Sequence, residues 1–272
     1  MPAARIPPPD PGLLSLNTAT VREKWNLREM IEGCARHGIR GISPWRDKLS
    51  ALGVKEAAKM IRNNGLTVTG LCRGGMFPAA DRKGRQAALG ARCLVLVVGG
   101  LPAGSKDLPG AREMVRDGIG EALGHARSAG VPLAIEPLHP MYCADRACIN
   151  TLAQALDLCD ALDSGKGGAL GIAVDVYHVW WDPQLESQIE RAGDKRLLAF
   201  HICDWLVPTT DLLNDRGMMG DGVIDLPRIR SWMEAAGYRD FHEVEIFSVR
   251  NWWKREPDDV LGVMKRRHQE CC

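Results

Sequence analysis

The stretch LGIAVDVYHVWWDPQLESQIERAGDKRLLAFHI, Leu170–Ile202, decides the fold. Leu170–Val174 is a continuous apolar run that stops at an acid, Asp175. Helical material follows near Gln184–Ala192, and Leu197–Ile202 is apolar again except for His201. Strand, helix and strand in about thirty residues make one βαβ unit. Runs that are apolar throughout, rather than alternating, mark strands covered on both faces.

The same alternation extends in both directions. Upstream strands are expected at Leu13–Thr18, Ile39–Ser43, Thr67–Cys72, Cys93–Val98 and Pro132–Ile135, and a last one at Phe241–Phe247. Helices are expected at Asn26–His37, Ala51–Asn63, Ala111–Ala129, Thr151–Leu162, Leu226–Ala236 and Pro257–Gln269, with Gly38, Gly130 and Gly237 as stops. Eight strands, each followed by helical material, predict a parallel sheet closed into a single (β/α)8 TIM barrel. An open doubly wound sheet would favour a Gly-x-Gly-x-x-Gly turn after its first strand, and none is there. Residues 13–272 are read as the barrel domain. Residues 1–12, rich in proline and without a hydrophobic core segment, are read as a disordered arm rather than a signal peptide.

One crossover is short. Between the third and fourth strands lie Arg73–Arg92, and Gly74–Asp81 reads as loop. About ten residues are left where a parallel crossover takes a dozen or more. A shortened third helix is expected, as a thin wall or a lost segment. A gap there would expose apolar strand surface and favour a partner subunit, such as a second copy of the chain.

The 272 residues carry a formal charge of +1, with 45% hydrophobic and 25% charged residues, an ordinary globular balance. A near-neutral chain gives no electrostatic reason for a nucleic-acid partner. No apolar run approaches the roughly 20 residues of a membrane span. Nine scattered cysteines, an odd number without a Cys-x-x-Cys pair, read as reduced thiols of a cytoplasmic protein. The adjacent Cys271 and Cys272 are expected to be exposed, as are His37, His125 and His268 on their helices.

In such a barrel chemistry belongs where strands end. The fifth strand ends at Glu136, the sixth at Asp175, the seventh carries His201 and the eighth Glu245. A carboxylate in an apolar run is costly unless paired or bound to a metal. One such residue would be a solvated loop residue or a helix cap; four on successive strands point to one site. Three carboxylates and one imidazole form a hard donor set, suited to Mn²⁺ first, with Mg²⁺, Co²⁺ or Zn²⁺ as alternatives. Glu243, two residues before Glu245, shares its side of the strand and is the competing ligand or a supporting residue. His242 should face the helices.

The order Glu136, Asp175-Val176-Tyr177-His178, His201, Glu245 resembles the xylose isomerase-like TIM barrels, the sugar phosphate isomerase/epimerase superfamily. The segment Asn214–Gly222 is similar to an Arg-then-Gly-x-Gly loop of ketose 3-epimerases. The resemblance implies that Glu136, Asp175, His201 and Glu245 hold the metal, that His178 and Arg216 contact substrate oxygens, and that Glu136 and Glu245 form the acid/base pair. Trp45, Arg73 and His139 are further rim candidates, with Arg73 placed to meet an anionic or phosphorylated substrate. Two departures separate this chain from those epimerases. Tyr142 stands where they carry a further glutamate, and the loop Trp205–Asp215 is longer.

The expected chemistry is proton abstraction beside a carbonyl, with a metal-bound enediolate. Returning the proton to the other face of the same carbon gives an epimerase, and returning it to the neighbouring carbon gives an isomerase. Loss of a β-hydroxyl gives a dehydratase acting on an inosose or keto-sugar. A non-catalytic sugar-binding subunit is the alternative outside enzymology. An apurinic-site endonuclease would need a histidine-rich three-metal cluster, and only His139, His178 and His201 are well placed.

Overall fold

The computed structural model describes residues 6–75, 90–164 and 168–272. The strands are β1 (Leu14–Asn17), β2 (Gly41–Ser43), β3 (Thr67–Val68), β4 (Leu71–Gly75), β5 (Leu94–Val97), β6 (Leu133–Ile135), β7 (Leu170–Asp175), β8 (Leu197–Ile202), β9 (Asp204–Trp205), β10 (Arg216–Gly217) and β11 (His242–Val244). The helices are α1 (Leu27–His37), α2 (Arg46–Leu52), α3 (Val54–Asn63), α4 (Leu108–Ala129), α5 (Leu152–Leu162), α6 (Val176–Val179), α7 (Leu185–Arg196), α8 (Leu226–Ala235) and α9 (Pro257–Cys271).

Nine strands form one parallel sheet in the order β3-β2-β1-β11-β8-β7-β6-β5-β4. First and last in that order, β3 and β4 are two halves of the single strand expected at Thr67–Cys72. β3 pairs with β2 and β4 with β5, so this one segment closes the ring. The backbone bonds Thr69 N to Ile42 O and Leu71 N to Cys93 O carry the closure through the break. The (β/α)8 TIM barrel read from the alternation is the fold. The shortened third helix falls on residues 76–89, outside the described residues.

Local signals explain the helix ends. Asn26 caps α1 in a capping box with Glu29, and α1 stops at Gly38 in the left-handed conformation. The helix expected from Ala51 is instead α3, preceded by α2. The two are separated by Gly53, whose φ of 87° breaks the run.

Packing forms two layers. Ile135, Ile172, Val174, Phe200 and Ile202 join the large core with apolar helix residues such as Ile119, Leu156 and Ile189. Inside the ring lies a small separate cluster that includes Cys93, Val95, Ala134, Ala173 and Ala199. Alternation along a strand places Glu136 two residues beyond Ala134, Asp175 beyond Ala173 and His201 beyond Ala199. The barrel interior is thus filled by small side chains and surmounted by a charged layer.

Several peripheral expectations change. Residues 6–12 are tied down: Arg230 Nη2 donates to the Pro7 carbonyl and Gln269 Nε2 to that of Pro9 at 3.0 Å. His268 is buried and its Nε2 lies 3.0 Å from His242 Nδ1, because α9 turns it toward β11. Cys271 is half-buried and Cys272 buried; all nine cysteines are free thiols. Among the described residues no helix is long and apolar enough to cross a membrane.

Candidate metal centre and active-site cavity

Strand register assembles the charged layer. Asp175 on β7 is directly opposite His201 on β8, and His201 is opposite Glu243 on β11. Glu136 and Glu245 lie just past their strands, yet their backbone N–H groups still bond to Leu96 O and Ile202 O. That continuation fixes both carboxylates on the inner rim. Glu136, Asp175, His201 and Glu245 are buried, and one ligand atom from each lies within 4.8 Å of all the others.

The polar environment is incompletely satisfied. His201 Nδ1 is 2.9 Å from Glu136 Oε1 and 3.9 Å from Glu245 Oε2. Among the described residues, Glu136 Oε1 and both His201 ring nitrogens have no properly directed hydrogen bond, although buried polar atoms normally do. Glu243 lies beneath. It accepts from Asn17 Nδ2 at 2.7 Å and from Thr69 Oγ1 at 2.8 Å, and its Oε1 is 3.5 Å from His201 Nε2. Asn17 also donates to Glu245 Oε1 at 2.9 Å and accepts from Trp45 Nε1 at 2.8 Å. Glu243 thus lies beneath the histidine, and Glu245 is in the four-residue group that could hold a cation.

Arg216 enters from the side. β9 and β10 form a short antiparallel ribbon after β8. The Asp204 carboxylate accepts the N–H groups of Trp205, Gly220, Gly222 and Ile224, fixing the loop that follows. A Cβ at Gly222 would come within 2.1 Å of the Trp205 carbonyl, so the loop closes only with glycine there. Arg216 Nη1 thereby reaches Asp175 Oδ2 at 2.8 Å and Glu245 Oε2 at 3.2 Å. Its guanidinium carbon lies 4.4 Å above the Tyr177 ring.

Charge sets the protonation states. Burial alone would depress the His201 imidazole, yet Glu243, Glu136 and Glu245 hold it well above the usual histidine value. Burial pushes Glu245 up to about 8, against the attraction of Arg216 and with added repulsion from Glu136. Burial also resists ionisation of Asp175, but Arg216 and His178 keep it below the usual carboxylate range. His178 falls to about 3 through burial, with Asp175 opposing and Arg216 reinforcing. Both its ring nitrogens face donors, the His139 N–H at 3.2 Å and Arg216 Nη2 at 3.2 Å. A neutral imidazole can accept only one of them.

The residues fit a divalent cation. Metal–ligand bonds of about 2.0–2.2 Å place ligands at most about 4.4 Å apart across the ion, so the observed cluster needs only a small contraction. Four buried carboxylates, Glu136, Asp175, Glu243 and Glu245, face one arginine; without a cation the surplus is met by protons, on His201 and Glu245, which a bound divalent ion would displace. The two atoms lacking directed partners at the centre, Glu136 Oε1 and His201 Nδ1, are of ligand type.

A cavity of roughly 410 Å³, counting its open mouth, lies above this centre. Trp45, Arg73, His178 and Arg216, all rim candidates from the sequence, line it together with Glu136 and Glu245. The His139 ring is not part of that lining; it stacks on Trp205 with centroids 5.1 Å apart, and its contribution is the backbone N–H to His178. Cys72, Arg146, Leu213 and Phe247 are lining residues that strand-end reasoning missed. Arg146 and Leu213 belong to loops, where periodicity carries no signal.

Residues 31–266 match the sequence pattern of the xylose isomerase-like TIM barrels, and the chain belongs to that family. Over 97% of its length it superposes on protein SMc04130 of Sinorhizobium meliloti 1021, covering 99% of that chain, with 57% identity and a TM-score of 0.91. It is 25% identical to the inosose isomerase of Bacillus velezensis, over 93% of this chain and 94% of that protein. The IolI protein, solved with a bound zinc atom, shares the fold at 21% identity and a TM-score of 0.79, with 95% of this chain and 97% of that one covered.

Proposed function

We propose that the protein is a divalent-metal-dependent isomerase or epimerase of a sugar-like polyhydroxy carbonyl compound, an open ketose or a cyclic inosose. The observation that carries this is the convergence of Glu136, Asp175, His201 and Glu245 to within 4.8 Å, with Glu136 Oε1 and the His201 ring nitrogens close to one another or to carboxylates but without a directed hydrogen bond. The similarity to an inosose isomerase supports the reaction class, and the zinc in the IolI neighbour supports a metal in this fold. Mn²⁺ is our first assignment for this oxygen-rich set, with Zn²⁺, Mg²⁺ and Co²⁺ as alternatives.

The cation, when bound, polarises a substrate carbonyl and acidifies the neighbouring C–H. The chain's residues supply the rest. Glu136 and Glu245 flank the cavity floor as the acid/base pair that takes and returns the proton. Asn17 and Arg216 hold Glu245 by one oxygen each, which fixes its carboxylate plane. His178, kept neutral, and Arg216 offer N–H or lone-pair contacts to hydroxyls. Trp45 and Phe247, packed edge to face at 5.5 Å, form an apolar wall that excludes water.

Incubation of Mn²⁺-loaded protein with ketoses and inososes in D₂O tests the proposal. The expected result is conversion without change of mass other than deuterium gained at the carbon beside the carbonyl. An enone or dione formed with loss of water would assign the chain to lyase chemistry instead.

A further inference from the structure

The cavity is asymmetric in charge. At its floor, Glu136 and Glu245, with Asp175 and Glu243 buried behind them, would offset Arg216 and a bound divalent cation to within one unit. At its mouth, Arg73 and Arg146 both line the wall, and among the described residues neither has a carboxylate within ion-pair distance. They are close enough that burial and the Arg146 charge together lower the affinity of Arg73 for its proton, against the attraction of Glu136 and Glu245 on the floor.

Each guanidinium is laid against an aromatic ring. The Arg73 guanidinium carbon is 6.0 Å from the Trp45 centroid, and that of Arg146 is 5.6 Å from the Tyr142 centroid. A guanidinium whose near neighbour is an aromatic ring rather than a carboxylate keeps N–H donors for a planar or tetrahedral oxyanion. A further observation points the same way. Tyr142 lines this cavity and is 7% exposed, and its buried hydroxyl has no hydrogen-bond partner among the described residues. Burial raises the Tyr142 proton affinity, so it is an O–H donor near neutral pH. Two unpaired cations and an unused donor on one wall are poorly matched to neutral sugar hydroxyls, which cannot offset like charge.

We propose that the substrate carries an oxyanion, a carboxylate or a phosphate, bound between Arg73, Arg146 and the Tyr142 hydroxyl while its carbonyl end lies on the acidic floor. This rests on the functional reading above for which end reacts, and adds what the other end recognises.

The test is titration calorimetry of the Mn²⁺-loaded protein with three ligands of one carbon skeleton: D-glucitol, D-gluconate and D-glucitol 6-phosphate. At least one anion is expected to bind about tenfold or more tightly than glucitol, the scale of a charge-assisted pair. The tighter anion identifies the group as carboxylate or phosphate. In the Arg73→Gln/Arg146→Gln double variant the anion preference should fall to near unity while metal content is unchanged. Equal binding of all three ligands by the wild type would overturn the proposal, whatever the variant does. So would a double variant that keeps the preference. The two readings fail separately: turnover of neutral ketoses without anion preference removes only this one. Anion preference in a protein that binds no metal and turns nothing over removes only the isomerase assignment.

Discussion

Buried charge is handled in opposite ways at the two ends of the barrel. At the N-terminal ends of the strands, Asp163 is buried and saturated. It accepts from Arg127 at 2.7 Å, Arg196 at 3.2 Å, and the backbone N–H groups of Ala169 and Leu170 at 3.1 and 3.2 Å. His242 and His268 at that end are held neutral by burial, at about 3 and about 4. At the C-terminal ends, Glu136 and His201 are equally buried, but their 2.9 Å approach is not a directed hydrogen bond, and neither Glu136 Oε1 nor either His201 ring nitrogen has one among the described residues. A buried charge that the fold completes serves stability; one that the fold leaves incomplete is waiting for a ligand.

The contrast is broken most sharply by exchanging roles. His201→Ala or Glu245→Ala should lower divalent-metal affinity by more than about 100-fold, beyond the loss typical of a supporting group. The fold should persist, as read by elemental analysis alongside circular dichroism. Asp163→Ala should do the reverse, leaving metal content unchanged and lowering unfolding free energy by about 3 kcal/mol. Most of that comes from Arg196 and the two backbone donors, because Arg127 is half exposed. Metal retained in both rim variants, or a rim variant as destabilised as Asp163→Ala, would erase the distinction.

Glu243→Gln should weaken metal binding about 10- to 100-fold without abolishing it, since Glu243 supports His201 from below. Complete loss would make Glu243 a ligand, as its position two residues from Glu245 allowed.

The smallest effect is on pH dependence, and it has opposite signs at the two ends. In the metal-free protein His201 and Glu245 are both raised, so the stability they confer is present at low pH. It declines as pH rises, for Glu245 between about 4.5 and about 8. His242 and His268 are depressed, so their contribution holds near neutral pH and is lost as pH falls below about 6.5. Chelated protein should therefore melt at progressively lower temperature from pH 6 to 8, and metal should restore it with proton release. A chelated protein that gains stability over that interval would contradict the protonation states assigned to the rim.

How much of this was legible in the sequence follows from what each signal measures. Apolar runs gave the eight barrel strands and, because a run stops where the chain leaves the ring, the positions of Glu136 and Asp175. Period-two alternation placed Glu243 and Glu245 on one side. The split of the third strand into β3 and β4 was not visible, since Thr67–Cys72 has no internal breaker except Gly70, which looks like any small strand residue. The β9–β10 ribbon was also hidden: it has two residues per strand, too few for a period. His268 was misjudged because helical spacing alone does not say which face of α9 meets β11. The mouth of the cavity was only half read, with Arg73 found at a strand end and Arg146 missed in a loop.

Crystals soaked in Mn²⁺ and measured for anomalous scattering test the central claim most directly. The account predicts one strong peak at bonding distance from Glu136, Asp175, His201 Nδ1 and Glu245, with Arg216 drawn back from at least one of its carboxylates. A featureless map there, with Arg216 still bridging Asp175 and Glu245, would contradict it.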